Sequence, residues 1–142
     1  MEVKMKTCTF FGHRDAPQSM RAKLKLKIAQ LIIQQGVDCF YVGNNGQFDA
    51  MVLSVLQEIA AAFTHIRYYV IYAYLPDAKI SAENVILPDG IEFVHPKSAI
   101  PMRNEWMIDH SDYVITYVTH SSGGASKFKA MAEQYGKSVY NL

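Results

Sequence analysis

A chain of 142 residues has the size of one domain and can bury a full core. Half of its residues are apolar and 19% are charged, with a formal net charge of +1, so bulk electrostatics give no pull toward membrane or nucleic acid. No apolar run reaches the roughly 18 residues of a membrane span, and the opening MEVKMKTCTFFGHR lacks the apolar core and cleavage site of a signal peptide.

Taken in order, the chain alternates strands and helices. Lys6 to Phe11 reads as a short strand that ends in Gly12-His13-Arg14-Asp15. Pro17 suits the first turn of a helix running to about Gln35, with Met20, Leu24, Ile28, Leu31 and Ile32 on one stripe and Gly36 as its C-cap. Cys39 to Val42 is the next strand, cut by Gly43-Asn44-Asn45-Gly46. Phe48 to about Thr64 reads as a helix whose Ala60-Ala61-Ala62 run suits close packing on a sheet. Arg67 to Leu75 is the most strand-like stretch of the chain. Periodicity is weak from Pro76 to Pro96, which reads as a surface excursion with one edge strand and a strand-like IEFVHP.

The most informative stretch follows. Pro101 opens a short helix with Arg103, Asn104 and Met107, closed by Ser111-Asp112. Tyr113 to Val118 has the β-branched and aromatic character of a buried strand, and Ser121-Ser122-Gly123-Gly124 breaks the chain before a helix from Ala125 to Tyr135. Ser138 to Leu142 is the last strand. This order implies right-handed crossovers and a single α/β domain over residues 1–142, Rossmann-like, mainly parallel, with helices on both faces.

Ligands of such sheets bind at the carboxyl ends of the strands, where the crossover direction changes. Three strand ends there carry glycine with polar neighbours: Gly12, His13 and Arg14; Gly43, Asn44, Asn45 and Gly46; and Ser122, Gly123, Gly124 and Ala125. A strand, a Gly/Ser turn and a helix present free N–H groups and a helix dipole to phosphate or carboxylate. Arg103 would add a charged fork to such a site, with Asn104 beside it. Asp49 falls in the first turn of a helix, where capping alone explains it; facing the crevice, it would accept from ribose hydroxyls. His13 and His120 stand at strand ends as donors or as solvated loop residues.

Other chemistries fit less well. Neither the spacing G-x-G-x-x-G nor a Walker A lysine motif is present. The five histidines have no metal-type spacing with each other or with the cysteines, so no metal and no cofactor is expected. Cys8 and Cys39 read as reduced core thiols of a cytoplasmic protein. Met102, Trp106, Met107 and Ile108 on one short helix suggest more apolar surface than a small domain hides, and hence a homodimer.

The motifs TCTFFGHR, YVGNNGQFDAMV and RNEWMIDHSDYVITYV with GGASKFKAMAEQYGKSVYNL together resemble the SLOG superfamily. These are Rossmann-like domains that include the LOG-type phosphoribohydrolases and the DNA-processing protein A group; the likeness is greatest to a small stand-alone bacterial branch with a GHR motif. The resemblance implies a nucleotide or nucleotide-derived ligand held between the GNNG and GGAS loops, bound or sensed in the cytoplasm. It also implies an alternative, cleavage of the N-glycosidic bond of a nucleoside monophosphate. LOG-type enzymes use an arginine, which Arg103 matches, and a glutamate just after a PGGxGT loop. Here the loop is Ser122-Gly123-Gly124-Ala125-Ser126, Lys129 and Ala130 stand in the glutamate's place, and Glu133 comes nearly a turn later. Loss of such a carboxylate typically raises the barrier by several kcal/mol. Binding is therefore the stronger expectation, no catalytic residue is assigned, and nucleic acid is disfavoured by the neutral charge.

Overall fold

The structure is a computed structural model that describes residues 5–75 and 84–142. Six strands form one open sheet: β1 (Thr7–Gly12), β2 (Cys39–Val42), β3 (Arg67–Ile71), β4 (Val85–Ile86), β5 (Tyr113–Tyr117) and β6 (Ser138–Asn141). Their spatial order is β4-β3-β2-β1-β5-β6, and every pairing is parallel. The sheet thus grows outward from β1 in both directions, which places the topological switch point between β1 and β5.

Four helices cover it: α1 (Arg21–Gln35), α2 (Gly46–Ala62), α3 (Pro96–Asp109) and α4 (Gly124–Gln134). Alternation along the strands divides the core in two. On one face, Leu24, Ile28, Leu31 and Ile32 of α1 and Phe48, Val52, Val55, Leu56 and Ile59 of α2 close over Cys8, Phe10, Phe40 and Ile115. On the other, Met107 and Ile108 of α3 and Phe128 and Ala132 of α4 close over Phe11, Ile71 and Val114. Full burial of each large side chain contributes about 1.5–3 kcal/mol. Cys8 and Cys39 are buried free thiols, as expected.

Several boundaries differ from the sequence reading, each for a local reason. Pro17 precedes a 3-10 turn, Gln18–Met20, and α1 starts only at Arg21; Gly36 caps it with φ 71°. The helix α2 starts at Gly46, inside the GNNG loop. Of its alanine run only Ala60 packs against the core; Ala61 and Ala62 are exposed, and larger side chains one and two turns earlier make most of the contact. β3 ends at Ile71 because its outer neighbour β4 has only two residues. The edge strand within 76–96 is therefore found at Val85–Ile86, whereas residues 76–83 lie outside the described residues. Ile91–Phe93 is a 3-10 turn rather than a strand. Pro101 does not open α3 but sits inside it. The start is set by Pro96 in the first turn and by His95, whose Nδ1 accepts the Lys97 N–H at 3.1 Å.

The apolar residues of α3 are taken up within the chain. Met107 and Ile108 are buried, while Met102 and Trp106 pack against the two neighbouring clusters. The four side chains that suggested pairing through this helix are thus buried or half-buried within the chain. Among the described residues, no helix is long and apolar enough to cross a membrane.

Candidate functional site

A cleft of about 520 Å³ opens at the carboxyl ends of the strands, over the switch point. Its walls come from the end of β1 (Gly12, His13, Arg14, Asp15), the start of α2 (Asn45, Asp49), α3 (Arg103, Asn104, Met107) and the β5–α4 loop (His120, Ser122, Gly123, Gly124, Ala125). Lys127 and Phe128 of α4 complete it, with Phe128 stacked on Phe11 at 5.6 Å. Eleven of the fourteen sequence-predicted residues line this cleft; Gly43, Asn44 and Gly46 lie behind it.

Those three residues explain how the wall is built. Arg103 is 2% exposed, and its guanidinium lies against Gly43, where a Cβ would stand 3.1 Å from Cζ and 2.8 Å from Asp49 Oδ2. Its donors are largely used within the chain. Nε donates to Asn104 Oδ1 at 2.7 Å, Nη1 to Asn44 Oδ1 at 3.1 Å and to the Ile71 carbonyl at 3.0 Å, and Nη2 to Asn45 Oδ1 at 2.8 Å. Of the five N–H groups of an arginine, one on Nη2 is left. Arg103 makes no ion pair with Glu105, Asp109 or Asp112. It clamps the GNNG loop to β3. Gly46, at φ 92°, lets that loop approach Arg14, whose Cα would be 3.0 Å from an added Cβ.

Asp49 sits under the same loop. Its Oδ2 accepts the Asn45 N–H at 2.9 Å, so it does close the start of α2 as a capping residue. Burial nonetheless pushes its carboxyl up to about 6, against the lowering pull of that N–H and of Arg103 and Arg14. Oδ1 has no hydrogen-bond partner among the described residues, which leaves an acceptor on the cleft wall.

The opposite wall is the β5–α4 loop. Two side chains from neighbouring strands hold its base. The Asn141 amide replaces a strand residue, accepting the Val118 N–H at 2.9 Å and donating to the Val118 carbonyl at 3.1 Å. His13 Nε2 accepts the Thr119 N–H at 2.9 Å. An accepting Nε2 requires the neutral imidazole with its proton on Nδ1. Burial, and after it the neighbouring His120, lower the His13 pKa and favour that form, while Asp15 opposes them. Beyond these anchors Gly123, at φ 94°, is the N-cap of α4, and no side chain caps this end. The first main-chain bond from Gly123 into the helix is Lys127 N–H to its carbonyl at 3.3 Å, which leaves the N–H groups before Lys127 for a ligand.

Sequence reasoning missed Asn141, Lys127 and the cleft floor of Phe11 and Phe128. Lys127 carried the one available signal, a cation three residues past the loop glycines. Asn141 carried none, because a polar residue closing an edge strand looks like an end of structure.

Among the solved structures that resemble the chain are two DNA processing proteins. DNA processing protein A (DprA) from Streptococcus pneumoniae superposes with a TM-score of 0.68 at 14% identity, over 96% of this chain and 50% of that one. DNA processing protein A from Helicobacter pylori gives 0.70 at 16% identity, over 96% and 65%. The fold is of the DNA processing protein A type. The Rossmann-like architecture expected from the sequence is therefore present, and the chain spans less than two thirds of either solved protein. No protein-family model and no curated protein matches the sequence. The Helicobacter structure is described by its single-stranded DNA binding mode. That overturns the exclusion of nucleic acid drawn from net charge. The physical reason is that net charge is a sum over the whole chain and does not report where single cations stand: the exposed Arg14 and Lys127 both line the cleft.

Proposed function

We propose that the cleft binds a nucleotide unit without turning it over, with phosphate on the β5–α4 loop and the sugar toward Asp49. The observation that carries this reading is the uncapped start of α4 at the switch point, facing across one cleft an unpartnered carboxylate oxygen. Phosphate needs donors and sugar hydroxyls need an acceptor, and the two walls supply one each. The unit is either free or part of a single strand; the likeness to a protein described as binding single-stranded DNA supports including the latter. Hydrolysis is not part of the proposal. Glu133 pairs with Lys129 at 2.7 Å on the outside of α4 and does not line the cleft.

The test is a thermal-shift and calorimetric series with AMP, ADP-ribose, inorganic phosphate and a short single-stranded oligodeoxynucleotide. A ligand at a hundred times its Kd should add about 2.7 kcal/mol to stability. Gly124→Asp should remove that gain, because its Cβ meets open space while its carboxylate repels phosphate. Binding by Gly124→Asp equal to the parent's would place the phosphate elsewhere.

A further inference from the structure

The two histidines of the cleft form a structure that the phosphate reading does not use. The His13 and His120 rings are parallel, with centroids 3.9 Å apart and planes 6° from coincident. His13 is held on several sides: its Nε2 by the Thr119 N–H, its main-chain N–H by the Tyr117 carbonyl at 3.1 Å, and its ring by the edge of Tyr117 at 5.9 Å. It is buried, whereas His120 is exposed on the cleft wall. One face of His120 is covered by His13, and its Nδ1 lies 3.0 Å from Ser122 Oγ, so the ring has one stacking and one polar contact to hold it. Its other face is open.

An exposed ring that is stacked on one face and bonded to its neighbour, beside a loop with free N–H groups, is more ordered than a solvated loop residue needs to be. From this we infer that His120 is the stacking seat for the base of the bound nucleotide, with His13 as its backing. The inference rests on the cleft being a nucleotide site. Ser122 links the ring directly to Gly123 and Gly124, so His120 and the start of α4 stand side by side on one wall of the cleft. Because the ring is already ordered, a base stacks without the rotamer entropy that a free side chain would lose. The charged groups around the pair are Asp15 and Arg14 from the β1 end, Asp49 and Arg103 across the cleft, and Lys127 on α4. Every base has a flat face, so the seat favours larger rings over smaller ones without reading hydrogen bonds.

The experiment compares AMP, CMP and ribose 5-phosphate by calorimetry at pH 8 on the full chain, its His120→Ala variant and its His120→Phe variant. In the parent, AMP should bind most tightly, CMP next and ribose 5-phosphate most weakly. His120→Ala should weaken AMP by roughly ten- to a hundredfold, CMP by less, and ribose 5-phosphate by no more than about twofold. His120→Phe, which keeps a flat ring but not the contact to Ser122, should recover most of the AMP affinity. An equal loss for AMP and ribose 5-phosphate would overturn the seat and make His120 a support for the loop. Parent binding of AMP no tighter than ribose 5-phosphate would overturn it as well, with the phosphate site intact. If the parent bound none of the three and no single-stranded oligodeoxynucleotide either, the nucleotide reading itself would fall and the seat with it.

Discussion

The two walls of the cleft are built on opposite principles. The GNNG wall is held by one buried cation, whose fork gathers Asn44, Asn45, Asn104 and the Ile71 carbonyl from three separate elements. The β5–α4 wall stands in solvent and is fixed only at its base, by the Asn141 amide and the His13 imidazole, with Ser121 to Gly124 exposed beyond. A buried clamp leaves no second arrangement at low cost, whereas an exposed loop pinned at one end can adjust to what it holds. The contrast assigns shape to one wall and adaptability to the other.

Breaking the clamp should have the largest effect. Arg103→Ala leaves three amide side chains and a main-chain carbonyl without their donor and should cost about 3–5 kcal/mol in chemical denaturation, well beyond lost binding. Arg103→Lys should recover only a minor part, because an ammonium cannot reproduce the fork. A midpoint within experimental error of the parent's would show that the clamp is decoration.

Asp49 sharpens the comparison through pH. A carboxyl whose folded pKa is raised to about 6 binds its proton more tightly folded than unfolded. Its contribution is therefore complete below the unfolded value near 4 and disappears as pH rises through 6, leaving a penalty at neutral pH. Asp49→Asn keeps an oxygen for the Asn45 N–H and escapes that penalty. It should stabilise the fold by on the order of 2 kcal/mol at pH 8 and change little at pH 4. Equal stabilities at pH 8 would mean that the carboxylate is solvated after all.

The smallest effect belongs to the exposed wall. Asn141→Ala removes both bonds to Val118 and should cost about 1 kcal/mol globally. Its local signature is faster hydrogen exchange at Val118 and Thr119, with the Asn44 and Asn45 amides unchanged. Loss of protection at both walls would show that they are one cooperative unit rather than two.

How much of this was legible beforehand differs by residue. The alternation of Leu24, Ile28, Leu31 and Ile32, and of Phe10 against Phe11, is a period that one face must satisfy, so the layers and the parallel sheet could be read directly. Gly12, Gly46 and Gly123 marked strand ends because a turn leaves its chemistry in the chain. Pro101 misled for the opposite reason: proline marks a helix start only as a preference, and His95-Pro96 offered a better one. Arg103 was visible as a charge, but its role was not. Whether a guanidinium faces a ligand or the chain's own amides is decided by residues 58 and 59 positions away, and that distance has no local signature. Net charge failed as a guide to partners because it is a sum, and a cleft answers only to the groups that line it.

The reach of those contacts has a consequence in time. During synthesis the strands β1, β2 and β3 can pair, and α1 and α2 can pack on them, while Arg103 is still unmade. The GNNG loop at that stage has its glycines and amides but no clamp, and Val118 will wait longer still for Asn141. A growing chain can therefore assemble the buried residues of one sheet face, Ile115 of β5 excepted, before either wall of the cleft is made. The two walls of the cleft are thus made after most of the sheet that carries them.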